Sequence, residues 1–360
     1  MSGTSLDGVD AVLADCSSAP PRAVAHAHRA FSKNLRAALV GLCTSGPDEI
    51  ERAGVAASQL AQVYAACVND LLQTAGAARA AVRAIGAHGQ TVRHRPHLGF
   101  SVQLNAPAQL AEAAGIDVVA DFRSRDIAAG GQGAPLASMF HVAAFSGDGP
   151  RAVINIGGIS NLTGLPGRTA SDGRVIGFDC GPGNLLLDYW MQKNFGASFD
   201  EGGAVAASAQ PDRQLLDVML ADPFFAEPPP KSTGRELFSP AWLEQAIGAR
   251  KLQPAVVLAT LTLLTAVAIG SAIERWFPQA ADVVLCGGGT HNKTLRQMLA
   301  AECAQRPVIE SSALGVEPEH VEALAFAWLA YTHVNRLGGN VPSVTGARGS
   351  RILGALYPTR

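Results

Sequence analysis

The chain has 360 residues, enough for two domains or one large one. Hydrophobic residues make up 48% and charged residues 16%, so buried α/β cores are within reach. A net charge of −2 with no long basic run argues against partners such as nucleic acid or an anionic membrane.

The 38 glycines concentrate in turns between apolar segments, as in nucleotide- or sugar-handling α/β proteins. The six cysteines (Cys16, Cys43, Cys67, Cys180, Cys286 and Cys303) include no CxxC pair and read as reduced thiols of a cytosolic protein. His94 and His97 lie close in sequence without an acidic or thiol neighbour, which argues against a metal there. Residues 1–10 are polar, so no signal peptide is expected. Residues 252–273 carry no charge and could cross a bilayer by length. Their threonines and the lack of a flanking basic cluster favour a buried helix of a soluble protein.

In chain order, residues 1–10 form a glycine- and hydroxyl-rich turn, followed by a strand at 11–14. Helical periodicity over 48–75 ends at Gly76. Residues 84–92 read as a buried strand entering a polar loop, and 106–114 as a helix ending at Gly115. A strand over 116–120 delivers Asp121, Arg123, Arg125 and Asp126, and the Gly130–Gly133 break is the expected hinge. Residues 151–163 repeat the strand–glycine turn–strand design of the N-terminus, which points to a duplicated fold with a cleft between halves.

Next, a strand over 175–178 ends at Asp179, Cys180–Gly183 turns the chain, and Asn184 caps a helix. A carboxylate at a strand end beside exposed turn amides suits a general base, and equally an aspartate that only bonds the turn. Residues 203–221 read as one amphipathic helix, and 282–286 as a strand leading into Gly287–Gly289. A helix starts near Lys293, and Pro318 opens the last long helix, which Gly338 closes. The tail over 342–358 is expected to pack on the first domain.

Four glycine turns, at 3–8, 157–158, 181–183 and 287–289, could together cradle phosphates with backbone N–H groups. Gly287 to Thr294 nearly fits a P-loop, but Asn292 replaces the glycine that lets such a loop wrap a phosphate. With only five lysines, phosphate contacts fall to amides, hydroxyls and a metal ion.

Several motifs occur together: Met1-Ser-Gly-Thr-Ser-Leu-Asp-Gly-Val-Asp10, His88-Gly-Gln-Thr91, Asp121-Phe-Arg-Ser-Arg-Asp126, Gly130-Gly-Gln-Gly-Ala-Pro135, Asn155-Ile-Gly-Gly-Ile-Ser-Asn-Leu162, Gly177-Phe-Asp-Cys-Gly-Pro-Gly-Asn184, Ser232-Thr-Gly-Arg-Glu-Leu-Phe238 and Cys286-Gly-Gly-Gly-Thr-His-Asn292. In this order, from residue 1 to about 358, they resemble the anhydro-N-acetylmuramic acid kinase family. The resemblance implies an α/β, duplicated actin-like ATPase (ribonuclease H-like) fold: two domains with an interdomain nucleotide cleft. Domain 1 would hold residues 1–131 plus 341–360, and domain 2 residues 132–340.

It further implies ATP-dependent opening of the 1,6-anhydro ring by water with phosphorylation of O6, giving N-acetylmuramic acid 6-phosphate and ADP in cell-wall recycling. The expected setting is a cytoplasmic homodimer that uses ATP and Mg2+. Asp179 would be the catalytic base. Gly3, Thr4, Ser5, Leu6, Asp7, Gly8, Val9 and Asp10 would form one phosphate turn, with Asp7 toward the metal. Asn155, Gly157 and Gly158 would form the second phosphate turn, and Gly287, Gly288 and Gly289 would lie under the adenosine. His88, Gln90, Thr91, Arg123 and Glu322 would meet the sugar, Arg123 through its carboxylate; alternatively Arg123 pairs with Asp121 or Asp126 as scaffold.

Family members usually carry a short apolar strand before Ser-Gly-Thr-Ser, and here Met1 stands where that strand ends. The first strand is therefore expected to be truncated, through a mis-assigned start or in a weakened protein. Two other functions remain open at this level: a non-catalytic muramic-sugar binder on the same fold, and another sugar kinase.

Overall fold

The computed structural model describes residues 1–3, 6–18, 20–168, 170, 173–303 and 305–359. It divides the chain into two compact units, Met1–Ala144 with His320–Arg360, and Phe145–Glu319. The sequence-based boundaries at 131 and 340 both fall inside the first unit. The Gly130–Gly133 segment is tied down there, because Gln132 N–H donates to Thr345 O (2.8 Å) and Gly133 N–H to Asp126 Oδ2 (2.8 Å). A loop bonded both to the C-terminal segment and to Asp126 lies within one unit.

In the first unit, strands β1 (Gly8–Asp15) and β2 (Arg22–Ala30) form an antiparallel hairpin, longer than the strand read from residues 11–14. The helix Glu49–Ala75 packs its apolar face on this hairpin and ends at Gly76 in the left-handed conformation, as its periodicity and terminal glycine predict. Residues 84–92 are not one strand. β3 (Ile85–Ala87) stops at His88, and Gly89 (φ 75°) turns the chain into β4 (Gln90–Arg95), which pairs with β5 (Phe100–Leu104). A Cβ at Gly89 would sit 2.7 Å from Leu104 O, so the turn requires glycine. β6 (Val118–Ala120) runs parallel to β3, and the C-terminal strand Ala355–Tyr357 adds antiparallel to β6, so the tail packs on this unit as expected.

The helix Val321–Val334 lies against both β1 and β3. Pro318 belongs to a separate 3-10 turn, Pro318–His320, and the helix closes at Asn335, short of Gly338.

The second unit holds one five-stranded sheet in the order β11-β10-β7-β8-β9. β7 (Arg151–Ile156), β8 (Ile159–Leu165) and β9 (Ile176–Pro182) form an antiparallel meander. β10 (Asp282–Cys286) and β11 (Val308–Glu310) continue parallel to β7. Counted within the unit this order is 5-4-1-2-3, the ribonuclease H-like sheet. The helix Pro254–Trp276 is the charge-poor segment of the sequence; it packs on β8 and β9 with Leu258, Leu264 and Ile269 fully buried. Each such side chain contributes roughly 1.5–3 kcal/mol by leaving water. The stretch 203–221 is two helices, Ala204–Ala207 and Arg213–Leu220, because Pro211 interrupts the amide ladder between them.

Candidate active site

Asp179 lies within β9, where the sequence reading ended a strand before it. Asn161 of β8 pairs with Asp179, and Ser160 pairs with Gly181, so Cys180 is the extra residue of a β-bulge. Pairing to β8 therefore carries the strand through Cys180-Gly-Pro182 despite their turn chemistry. Asn184 does not cap the helix Asn184–Phe195 with its side chain. The first amides are met instead by the β7–β8 turn. Gly183 and Leu185 N–H donate to Gly158 O (2.9 and 3.1 Å), and Asn184 N–H donates to Gly157 O (2.8 Å). These donors are spent on protein carbonyls and offer nothing to an anion.

The register places Asp179, Asn161, Asn155 and Cys286 opposite one another across four neighbouring strands. Directly opposed residues share a face, so Asp179 and Asn155 belong to one row of side chains. At the adjoining ends of β7 and β10, the turns Gly157–Gly158 and Gly287–Gly289 come together. A Cβ at Gly289 would fall 2.2 Å from Ile156 Cγ2, and one at Gly288 would meet nothing within 4 Å. The first glycine lets the two turns interlock, and the second leaves bare backbone facing outward, a surface a nucleotide can approach.

Around Asp179, the segment after the proline-rich loop closes in. Asp179 N–H donates to Lys231 O (3.1 Å), and Thr233 N–H donates to Asp179 Oδ2 (2.9 Å). Lys231 is 8% exposed, and its Nζ donates to Phe224 O (2.7 Å) while lying 4.3 Å from the centre of that ring. Burial pushes the Asp179 carboxyl up to about 7. The Thr233 amide and the Lys231 charge oppose that rise, and Glu236 adds to it. Thr233 Oγ1 is buried without a hydrogen-bond partner. Sequence reasoning missed Thr233, Glu236 and Asn161 as site residues. Their signal was membership of the motifs at 232–238 and 155–162.

In the first unit, His88 (5% exposed) is the hub. Its Nδ1 lies 3.2 Å from Ser2 O, and its Nε2 lies 2.8 Å from Arg123 Nη2 and 2.9 Å from Gln103 Nε2. Two donors on Nε2 and an acceptor at Nδ1 define a neutral ring with its proton on Nδ1. Burial, then the Arg123 charge, holds its pKa well below the usual histidine value. Gln103 also donates to Thr91 Oγ1 (3.2 Å), a link no sequence spacing announces.

Gln90 Nε2 donates to Gly3 O (3.2 Å), and its Oε1 is buried with no partner. Arg123 Nη1 donates to Gly133 O (2.7 Å). Its Nε has no partner, and burial lowers its pKa to about 10 against the opposing charges of Glu322 and Asp126. The scaffold alternative for Arg123 is not what forms, since Asp126 bonds Gly133, Asn340 and Thr345, and Asp121 bonds Ser124. Gln90 Oε1 and Arg123 Nε thus present a buried acceptor and donor to a polar ligand.

Of the N-terminal turn, Thr4 and Ser5 lie outside the described residues. Gly3 is joined to Gln90, Leu6 and Val9 are buried, and Asp7 is exposed. Gly8 opens β1, and Asp10 Oδ1 is held by His28 Nδ1 (3.0 Å) and His26 Nε2 (3.3 Å) of β2. Asp10 is thus engaged by the hairpin. Among the described residues no group of three or more histidine, cysteine, aspartate or glutamate side chains forms a metal cage. An exposed carboxylate such as Asp7 fits a hard cation held chiefly by phosphate oxygens.

A ribonuclease H-like sheet bearing a buried carboxyl, with bare glycine turns at its strand ends, is the actin-like ATPase type of fold. Residues 1–359 match the family model for anhydro-N-acetylmuramic acid kinase. Curated proteins of that description are similar along their whole length. One from Cupriavidus metallidurans is 51% identical, covering 99% of this chain and 96% of the relative. One from Cupriavidus pinatubonensis is 53% identical (99% and 97% covered), and one from Bordetella petrii is 52% identical (99% and 95% covered). The chain belongs to the anhydro-N-acetylmuramic acid kinase family.

Proposed function

We propose that this chain uses ATP to open the 1,6-anhydro ring of anhydro-N-acetylmuramic acid and phosphorylate O6, giving N-acetylmuramic acid 6-phosphate and ADP in cell-wall recycling. The observation that carries this reading is the Asp179 carboxyl, whose pKa of about 7 suits a base working near neutrality. Asp179 takes a proton from water as the water oxygen bonds the anomeric carbon. The C1–O6 bond breaks, and O6, freed as an alkoxide, bonds the γ-phosphorus while the bond to ADP breaks. The proton held by Asp179 then returns to solvent.

Thr233 N–H orients the carboxylate, and Lys231 keeps its charged form accessible. His88, held neutral, positions Arg123, whose free Nε donates to the lactyl carboxylate. Gln90, Thr91 and Glu322 complete the sugar contacts. The glycine turns at 157–158 and 287–289 take the phosphates and adenosine. Asp7 would hold Mg2+, which when bound neutralises charge on the transferring phosphoryl group. The enzyme is assigned to the cytoplasm as a homodimer.

Incubation with ATP, Mg2+ and anhydro-N-acetylmuramic acid should yield the 6-phosphate by mass spectrometry. Phosphorylation of ordinary reducing sugars in its place would overturn the assignment in favour of another sugar kinase, and binding without turnover would favour a sugar sensor. Arg123→Lys should raise KM for the sugar by roughly tenfold or more with a smaller change in kcat, because lysine cannot serve His88, Gly133 O and a carboxylate together. An unchanged KM would remove Arg123 from the sugar site.

A further inference from the structure

The hairpin of β4 and β5 carries a row of polar side chains, of which the proposed sugar contacts use only one end. Thr91 pairs with Gln103 and His94 pairs with Ser101, while Ser101 and Gln103 stand two positions apart on β5. Directly opposed residues share a face, as do alternate residues of a strand, so all four side chains lie on one side of the hairpin. The β-bulge between Thr91 and Arg93 secures this, because without the extra residue His94 would fall on the other face. One end of the row joins the proposed sugar pocket through the Gln103 bonds to His88 and Thr91. The helix Ser124–Ala128, which Arg123 precedes, packs on β5.

His94 closes the other end of the row with a bare ring nitrogen. Its Nδ1 lies 3.2 Å from Ser101 Oγ, and that hydroxyl gives its own proton to Arg93 O (3.3 Å). Ser101 can therefore only accept from the ring, which puts the His94 proton on Nδ1 and leaves a lone pair on Nε2. Nε2 is buried without a hydrogen-bond partner. Burial, then the charges of Arg123 and Arg95, lowers the His94 pKa to about 4, so the ring is neutral and its lone pair available near neutrality. A buried acceptor without a donor is costly to keep, and Arg123 Nε is a buried donor in the same condition. The Arg123 charge acts on His94, which marks the two side chains as neighbours. Together they offer one donor and one acceptor to a single ligand.

We propose that His94 is a specificity-determining residue of the sugar site, its Nε2 accepting a hydrogen bond from a neutral N–H or O–H donor beside the sugar's carboxylate. The inference rests on the proposed function, under which Arg123 Nε takes the lactyl carboxylate. In anhydro-N-acetylmuramic acid the lactyl group is attached at O3. The groups flanking it are the acetamido N–H on C2 and the hydroxyl on C4, and each is a donor. An acceptor set beside the carboxylate's partner reads this arrangement and rejects a sugar that brings the carboxylate alone. A buried site built to bond a donor rejects the analogue lacking it far more strongly than an apolar pocket can.

The test compares steady-state kinetics on anhydro-N-acetylmuramic acid, its 4-deoxy analogue, and its 2-acetoxy analogue, in which an ester oxygen replaces the amide N–H. With the parent protein, one analogue should show a KM raised by about tenfold or more, with kcat changed by less than about threefold; that analogue identifies the donor. His94→Phe keeps a ring but has no acceptor. It should raise KM for the unmodified sugar by a similar factor and remove the penalty on that analogue, while its effect and that of the other analogue simply multiply. Ser101→Ala, a smaller change that frees the tautomer, should shrink the same penalty, and it decides alone if the phenylalanine variant does not fold. A parent that converts the unmodified sugar but treats both analogues alike overturns the proposal and leaves the kinase reading standing. So does a penalty that persists unchanged in the variants. A parent that neither binds nor converts the sugar ends both readings.

Discussion

Asp179→Asn is expected to remove turnover by about 10³-fold or more while stabilising the protein at alkaline pH. Asparagine keeps an acceptor for the Thr233 amide, so the loop over 231–236 has no reason to move. It cannot take a proton from water. The stability effect follows from the carboxyl's displacement, from an ordinary 3.8 to about 7, caused first by burial. Between those values the folded state binds more protons than the unfolded one, so stability falls as pH rises through that window. Above pH 7 the full cost of a buried charge is present, on the order of 4 kcal/mol, and below pH 4 it is absent. Thermal unfolding of parent and variant at pH 8 and pH 3.5 tests this directly: the variant's midpoint should be higher at the first and nearly equal at the second. A parent rate constant that does not fall below pH 7, or near-normal turnover by the variant, would remove Asp179 as the base.

Asp126→Ala is expected to be the most damaging single change to the first unit. The carboxylate is fully buried and accepts from Gly133 N–H (2.8 Å), Asn340 Nδ2 (2.7 Å) and Thr345 Oγ1 (2.8 Å). Truncation strands three donors in the interior and takes a negative charge from beside Arg123. The expected loss is about 3–5 kcal/mol, read as a fall in the urea midpoint with an unchanged slope. Asp126→Asn, which retains one acceptor oxygen, should fall between the two. The alanine variant should also bind sugar less well, because Gly133 O anchors Arg123 and Asp126 anchors Gly133. A midpoint equal to the parent's would show that the C-terminal segment is held by other means.

Much of the architecture was legible because local signals and tertiary demands agreed. The helix Glu49–Ala75 has a clean apolar stripe and a terminal glycine, and Asp282–Cys286 is an apolar run ended by glycines. Failures came where pairing overrode local chemistry. Cys180-Gly-Pro182 looks like a turn but is held extended by β8, and the periodicity across 203–221 hides the interruption at Pro211. The aspartate expected as base was identifiable from its motif. Gln103 and Thr233 were not, because their roles come from contacts to His88 and Asp179 across 15 and 54 positions of chain. Asp10 shows the converse, a residue inside a recognisable motif whose carboxylate the hairpin itself engages.

The three bonds between the Gly157–Gly158 carbonyls and the amides of Gly183–Leu185 also constrain how this chain can change over time. Substitutions in either segment can be absorbed one at a time, provided the backbone path survives. An inserted or deleted residue cannot, since a shift of one position in either partner breaks all three bonds together and slides Asp179 out of line with Asn161. The lengths of the two segments are therefore inherited as a pair, and a viable length change in one needs a matching change in the other.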